Sequence, residues 1–182
     1  MRTVFDSAAH SFTLDGVKIP SVTQVVKFAG LIGDGYYTNE SANRGTYIHK
    51  CCQMCDAGTL DTEALEPEYQ GYVSAYSDFC KDLNYVPIDN EIHIESVQYR
   101  YAGIADKIGL VSGKKRLIEL KTGAKEKWHK IQLAAYISAF YEMTGESLQG
   151  LLLYISKDGG YKEELIDVLG STRVLEFKTM VN

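Results

Sequence analysis

The chain has 182 residues, 45% of them hydrophobic and 24% charged, the balance of a single soluble globular domain large enough to bury a core. Nineteen basic against 24 acidic residues give a formal net charge of −5, which argues against non-specific coating of nucleic acid but leaves room for a local basic patch. No apolar run approaches membrane-spanning length and MRTVFDSAAH lacks the apolar core of a signal peptide, so the expected location is cytoplasmic, with no membrane partner.

In chain order, residues 2 to 19 read as short strands, with Ser11 to Leu14 and Val17 to Ile19 flanking the turn Asp15-Gly16. Pro20 closes this hairpin, and Ser21 can cap a helix through Val22, Val25, Val26 and Phe28. Residues 1 to about 40 form an N-terminal extension to the single domain. Gly30 to Gly35 is glycine-rich but lacks the spacing and lysine of a phosphate-binding loop, so it reads as a connection. A helix is predicted from Ser41 to Asp56, stopped by Ala57-Gly58. After the acidic linker Leu60 to Glu66, a second runs from Glu68 to Leu83 with Tyr69, Tyr72, Val73, Tyr76 and Phe79 on one face. Strands follow at Ile88 to Val97, Tyr99 to Val111 and Lys115 to Lys121, then an amphipathic helix from Lys125 to Met143. Two further strands, Leu148 to Ser156 and Tyr161 to Val168, precede a short helix after Ser171. The order implies a mixed α/β core with helices flanking a central mixed sheet.

Four cysteines, Cys51, Cys52, Cys55 and Cys80, invite a cluster. Adjacent residues on a helix point about 100° apart, so Cys51 and Cys52 cannot easily ligate one metal. They read as free thiols, with no iron–sulfur cluster expected.

The stretch from Tyr101 to Tyr136 carries the chemistry. A two-residue Ser112-Gly113 turn sets Val111 against Lys114, Ile108 against Leu117 and Asp106 against Glu119, with the last pair's Cβ atoms about 5 Å apart. Two opposed carboxylates call for a cation between them, and a hard divalent ion, Mg²⁺, is the simplest, completed by the backbone carbonyl of Leu120 and waters. Period-2 alternation puts Lys121 on the face of Glu119, where it can stabilise hydroxide or a phosphoryl charge. The plainer alternative is a solvated cross-strand ion pair; the apolar flanks Ile104-Ala105 and Leu117-Ile118 argue for partial burial instead. On the next helix Lys125, His129, Gln132 and Tyr136 share a face, where Gln132 and Tyr136 can position water or phosphate. Lys125 and Lys130, and Lys114, Lys115 and Arg116 at the hairpin tip, are candidate phosphate contacts. Arg44 stands near a helix N-terminus that favours anions, and His49, one turn on, is either a ligand for Mn²⁺ and softer metals or a structural histidine.

These residues together resemble the PD-(D/E)XK nuclease superfamily in its RecB-like branch, which includes phage recombination exonucleases and the nucleases of CRISPR adaptation. The matching motifs are Gly45 to His49, Gly103-Ile104-Ala105-Asp106, Glu119-Leu120-Lys121 and Gln132 to Tyr136, four in order across half the chain. Leu14-Asp15-Gly16 and Pro20-Ser21-Val22-Thr23 also look like the start of phage-type members. The resemblance implies a restriction-endonuclease-like core, His49, Asp106 and Glu119 as metal ligands, Lys121 as the catalytic lysine and Gln132 and Tyr136 as supporting residues. Ala105 stands where the superfamily's name has proline, and the cysteines all precede the core strands, unlike the cluster-bearing members. The expected activity is a Mg²⁺- or Mn²⁺-dependent deoxyribonuclease, an exonuclease in DNA recombination, repair or phage DNA processing. Alternatives are a structure-selective endonuclease of junction-resolvase type and a non-catalytic nucleic-acid-binding module. DNA, as double-stranded ends or single strands, is the expected partner, with a homo-oligomer and a recombination partner protein to be tested.

Overall fold

Two-residue turns fold the chain back twice. Asp15 and Gly16 (φ 50° and 80°) and Ser112 and Gly113 (φ 50° and 76°) all adopt positive φ, the mirror-image turn whose twist suits a hairpin. In the computed structural model, which describes residues 3–9, 11–33, 38–167 and 172–181, the first turn joins β2 (Ser11–Leu14) to β3 (Val17–Ile19). With β1 (Thr3–Asp6) they form a small antiparallel sheet. Phe12, Leu14 and Ile19 pack beneath it on Ala102 and Ile104. Ser21 then caps α1 (Val22–Phe28), exchanging hydrogen bonds with Gln24 in a capping box. Val22, Val25 and Val26 are buried as the apolar spacing implies, whereas Phe28 is exposed.

Asp34 to Tyr37 lie outside the described residues, and with them part of the glycine-rich connection. Thr38 caps α2 (Asn39–Asp56), and α3 (Pro67–Asp82) begins on its proline, where the missing N–H is not needed. The main sheet has the order β4-β5-β6-β7-β8. Its strands are β4 (Val86–Ser96), β5 (Tyr101–Val111), β6 (Lys114–Lys121), β7 (Gln149–Ile155) and β8 (Tyr161–Ile166). All pairs are antiparallel except β6 with β7, and that parallel pair is bridged by the crossover helix α4 (Lys127–Thr144). The last helix, α5 (Thr172–Val181), follows Ser171, which with Val168 is outside the described residues.

Helices cover both sheet faces. Ile118, Leu120, Leu151 and Leu153 face α2 and α3 through Ile48, Cys52, Tyr76 and Phe79. Leu117 and Leu152 face α4, α1 and α5 through Leu133, Ile137, Val26 and Phe177. Lys107, 2% exposed, is buried on the first side, where Asp56 at 2.6 Å and Asn90 at 2.7 Å hold its ammonium. The alternation of β6 therefore delivers Glu119 and Lys121 toward α4. Among the described residues no helix is long and apolar enough to cross a membrane.

Candidate active site

Asp106 sits where both neighbouring strands let go of β5. Toward β6 the ladder follows the expected register, Val111↔Lys114 through Lys107↔Ile118, and stops one pair short of Asp106 and Glu119. The expectation that these two face each other as a ladder pair is thereby corrected. The Asp106 carboxylate takes the place of the missing pair, and its Oδ2 accepts the Leu120 N–H at 2.7 Å. Toward β4 the register passes from Asn90↔Lys107 to Ile92↔Ala105 across Glu91, whose φ of 52° is unusual for a residue with a Cβ. Gln53 of α2 donates to the Glu91 carboxylate at 2.9 Å. The other Asp106 oxygen lies 3.2 Å from His49 Nδ1, so α2 reaches the gap through one side chain.

Glu119 is 3% exposed. Its Oε1 accepts from Lys121 Nζ at 2.9 Å, while Oε2 is buried with no partner among the described residues. Lys121 also donates to Gln132 Oε1 at 2.8 Å, and its ammonium stands 5.3 Å from the Trp128 ring centre. Gln132 Nε2 in turn donates to the Tyr136 hydroxyl at 3.1 Å and to Thr23 Oγ1 at 3.4 Å. The i, i+4 spacing of Gln132 and Tyr136 on α4 makes this chain possible, and it fixes the lysine from behind. Tyr136 explains a motif glycine as well: a Cβ on Gly103 would lie 2.6 Å from its Cε1 atom. Gly45 has no such constraint, since a Cβ there would meet only Thr122 Oγ1, at 3.7 Å.

The electrostatics follow from this crowding. Burial pushes the Glu119 carboxyl up, and the Asp106 charge adds to the effect, to about 7. Burial also works against the Asp106 charge, but His49, Lys121 and the Leu120 N–H outweigh it and hold this carboxyl below its ordinary value. For His49, burial opposes protonation and is outweighed by Asp106, which holds the imidazole above its ordinary value. Burial, with Glu119's charge behind it, pushes the Tyr136 hydroxyl well up, so it stays protonated.

Asp106, Glu119, Lys121, Gln132, Tyr136 and His49 are thus brought together. Among the described residues no three His, Cys, Asp or Glu side chains converge as a ready-made metal cage. Asp106, Glu119 and a backbone carbonyl could still hold one ion. A residue's N–H and C=O point to the same neighbour in an extended strand, so the Leu120 carbonyl is directed toward the Asp106 side. His49 could join once its imidazole gives up the proton that Asp106 favours.

The candidate phosphate contacts divide. Arg44 lines a cleft of about 500 Å³ beside Lys121, Thr122 and His49, and its Nε finds no partner among the described residues. His129 lines the same cleft but is buried; burial, then the Lys121 charge, lower it to about 3, so it is a neutral imidazole there. Lys125 (2.7 Å) and Lys130 both pair with Glu164 of β8. Lys114, Lys115 and Arg116 begin β6, whose other end carries the site. At the rise of a strand Lys114 lies about 17 Å from Glu119 and about 23 Å from Lys121, and Arg116 about 10 Å from Glu119 on the opposite face of the strand. Lys115 is paired with Glu146 at 2.7 Å, and Arg116 is buried. The structure does not bring these three to the site.

Sequence reasoning missed Thr23, Trp128, Thr122, Gln53 and Glu91. Thr23 was within reach, since it stands in the Pro-Ser-Val-Thr run already singled out. The cysteines are free, Cys51 and Cys52 being buried, and burial raises Cys55 to about 11 and Cys80 to about 12.

No protein-family model matches this sequence, and no curated protein matches it. Among solved structures, a "putative exonuclease" from Eubacterium rectale aligns with a TM-score of 0.55 at 15% identity, over 90% of this chain and 77% of that one. The protein SSO0001 aligns at 19% identity over 88% of this chain and 84% of that one, but its TM-score of 0.34 is too low to bear on the fold. The chain therefore has a mixed α/β fold, a five-stranded mixed sheet flanked by helices, similar to that of the Eubacterium rectale protein.

Proposed function

We propose that the protein is a divalent-metal-dependent deoxyribonuclease of the PD-(D/E)XK type, in the RecB-like branch, acting as an exonuclease. The observation that carries this reading is the buried, unpartnered Glu119 Oε2 beside the Asp106 carboxylate. A buried anionic oxygen without a donor is costly, and a second carboxylate beside it makes it more so, unless a cation is shared between them. The donor set is all oxygen apart from His49, which suits Mg²⁺ or Mn²⁺. Asp106, Glu119 and the Leu120 carbonyl would hold the ion, with His49 as a further ligand. It would supply Lewis acidity at a phosphoryl oxygen and lower the pKa of water.

The remaining steps belong to the protein. Lys121, held by Glu119 and Gln132, presents its ammonium to the charge that builds on the phosphoryl oxygens as the phosphodiester is attacked. Gln132 and Tyr136 keep that ammonium in place. Arg44 and Thr122 line the adjacent cleft as backbone contacts that position the strand without reading its sequence. The name of the Eubacterium rectale protein points the same way.

Linear duplex and covalently closed circular DNA, incubated with Mg²⁺, Mn²⁺ or EDTA, provide the test. Linear DNA should be degraded only with the metals and the circle left whole. Cleavage of the circle would favour the structure-selective endonuclease, and loss of neither substrate would overturn the nuclease reading.

A further inference from the structure

The Arg44 cleft is not the only one that opens on His49. A second, of about 720 Å³, shares Thr46 and His49 with it and reaches Asp106 from the other side. Its volume lies in the range of sites that enclose a small organic ligand. The two differ in chemistry. Arg44 and Lys121 give the first a cationic lining suited to phosphates. The second is lined by Phe5 of β1 and Ile104 of β5, with the buried Phe12 of β2 behind Phe5, and Glu91 and Asp106 also reach it. The two phenylalanine rings lie 4.8 Å apart, inclined at 32°, and His93 meets Phe5 edge-on at 5.1 Å. Lys50, one residue beyond His49, stands exposed on the same cleft.

We infer that this second cleft is a nucleobase subsite, taking the base next to the phosphate held at Asp106, Glu119 and Lys121 on a strand unpaired at that point. The inference rests on the nuclease reading and adds a substrate class to it. An aromatic wall accepts any base through its π-face, which gives affinity without sequence preference. A base still paired in a duplex cannot enter such a cleft without leaving its stack, so the strand must be single or frayed there. Lys50 is placed to meet the following phosphate. A strand laid across His49 would then keep its backbone in the first cleft and turn a base into the second.

The test reads binding rather than cleavage. Single-stranded oligonucleotides, each with one abasic residue at a successive position, are titrated against the full chain by fluorescence anisotropy in Ca²⁺, with gels confirming that they stay intact. One position should weaken binding about tenfold for the wild type. Phe5→Ala should be nearly indifferent to that position, and Phe5→Trp should recover the sensitivity. Equal binding of all abasic oligonucleotides by the wild type, or full sensitivity retained in Phe5→Ala, would overturn the subsite. Phe5→Leu, which keeps an apolar side chain packed on Phe12 but removes the ring, separates loss of the π-face from loosening of the N-terminal sheet and should be as indifferent as Phe5→Ala. Cleavage of the intact oligonucleotide in Mg²⁺, scored separately, reports on the nuclease assignment alone.

Discussion

Replacing Glu119 by glutamine removes one of two carboxylates that burial and proximity set against each other. In the metal-free protein the Glu119 carboxyl is raised from 4.5 to about 7, first by burial and then by Asp106. A raised carboxyl binds its proton more tightly in the folded state. Its contribution is thus fully present below the unfolded value and lost as pH climbs through about 7. At about 1.4 kcal/mol per pH unit, the loss by pH 8 is on the order of 3 kcal/mol. Asp106, shifted the other way, acts below this window. His49 shifts in the same sense as Glu119, so the informative quantity is wild type against variant at each pH. Urea unfolding in EDTA should show Glu119→Gln gaining stability relative to the wild type by up to about 3 kcal/mol between pH 5 and pH 8. With Mg²⁺ at a hundred times its dissociation constant, the wild type alone should gain about 3 kcal/mol. A difference that stays flat with pH, or equal stabilisation of both proteins by Mg²⁺, would refute the reasoning.

Three further outcomes follow from the geometry. Lys121→Met should lower kcat by at least about a hundredfold while leaving the far-ultraviolet circular dichroism unchanged, because the ammonium serves the reacting phosphate rather than the fold. Gly103→Ala should cost about 1–3 kcal/mol by urea titration and reduce cleavage, since its methyl occupies the space of the Tyr136 ring. Lys114→Gln with Lys115→Gln should leave DNA affinity within about twofold, whereas Arg44→Ala should weaken it and flatten its salt dependence by about one contact, measured by anisotropy at several salt concentrations.

Much of the fold could be read from periodicity and turn chemistry because both are local. Ser112-Gly113 demanded a mirror-image turn, and the turn alone set the β5–β6 register as far as Lys107↔Ile118. What failed there was the assumption that a register, once set, continues. Asp106 ends the ladder by taking the Leu120 N–H for its own carboxylate, a competition between side chain and backbone that alternation does not encode. The basic residues show a second limit. Lys125 and Lys130 look like a phosphate-binding pair in the sequence, but Glu164, more than thirty residues away, closes on both. Arg116 follows two lysines at a hairpin tip, yet strand alternation turns it inward. The cluster of Asp106, Glu119, Lys121, Gln132 and Tyr136 was legible because each lies at the period of its own element. Glu91 and Gln53 were not, since their place depends on a backbone irregularity opposite Asp106.

The most direct measurement is digestion of linear DNA labelled separately at its 5′ and 3′ ends, with Mg²⁺ or Mn²⁺, by purified wild type, Glu119→Ala and Lys121→Ala. The wild type should release label progressively from one end and stop when EDTA is added, and neither folded variant should release any. Full activity in either variant, or a wild type that leaves both ends untouched, would contradict the assignment of this site.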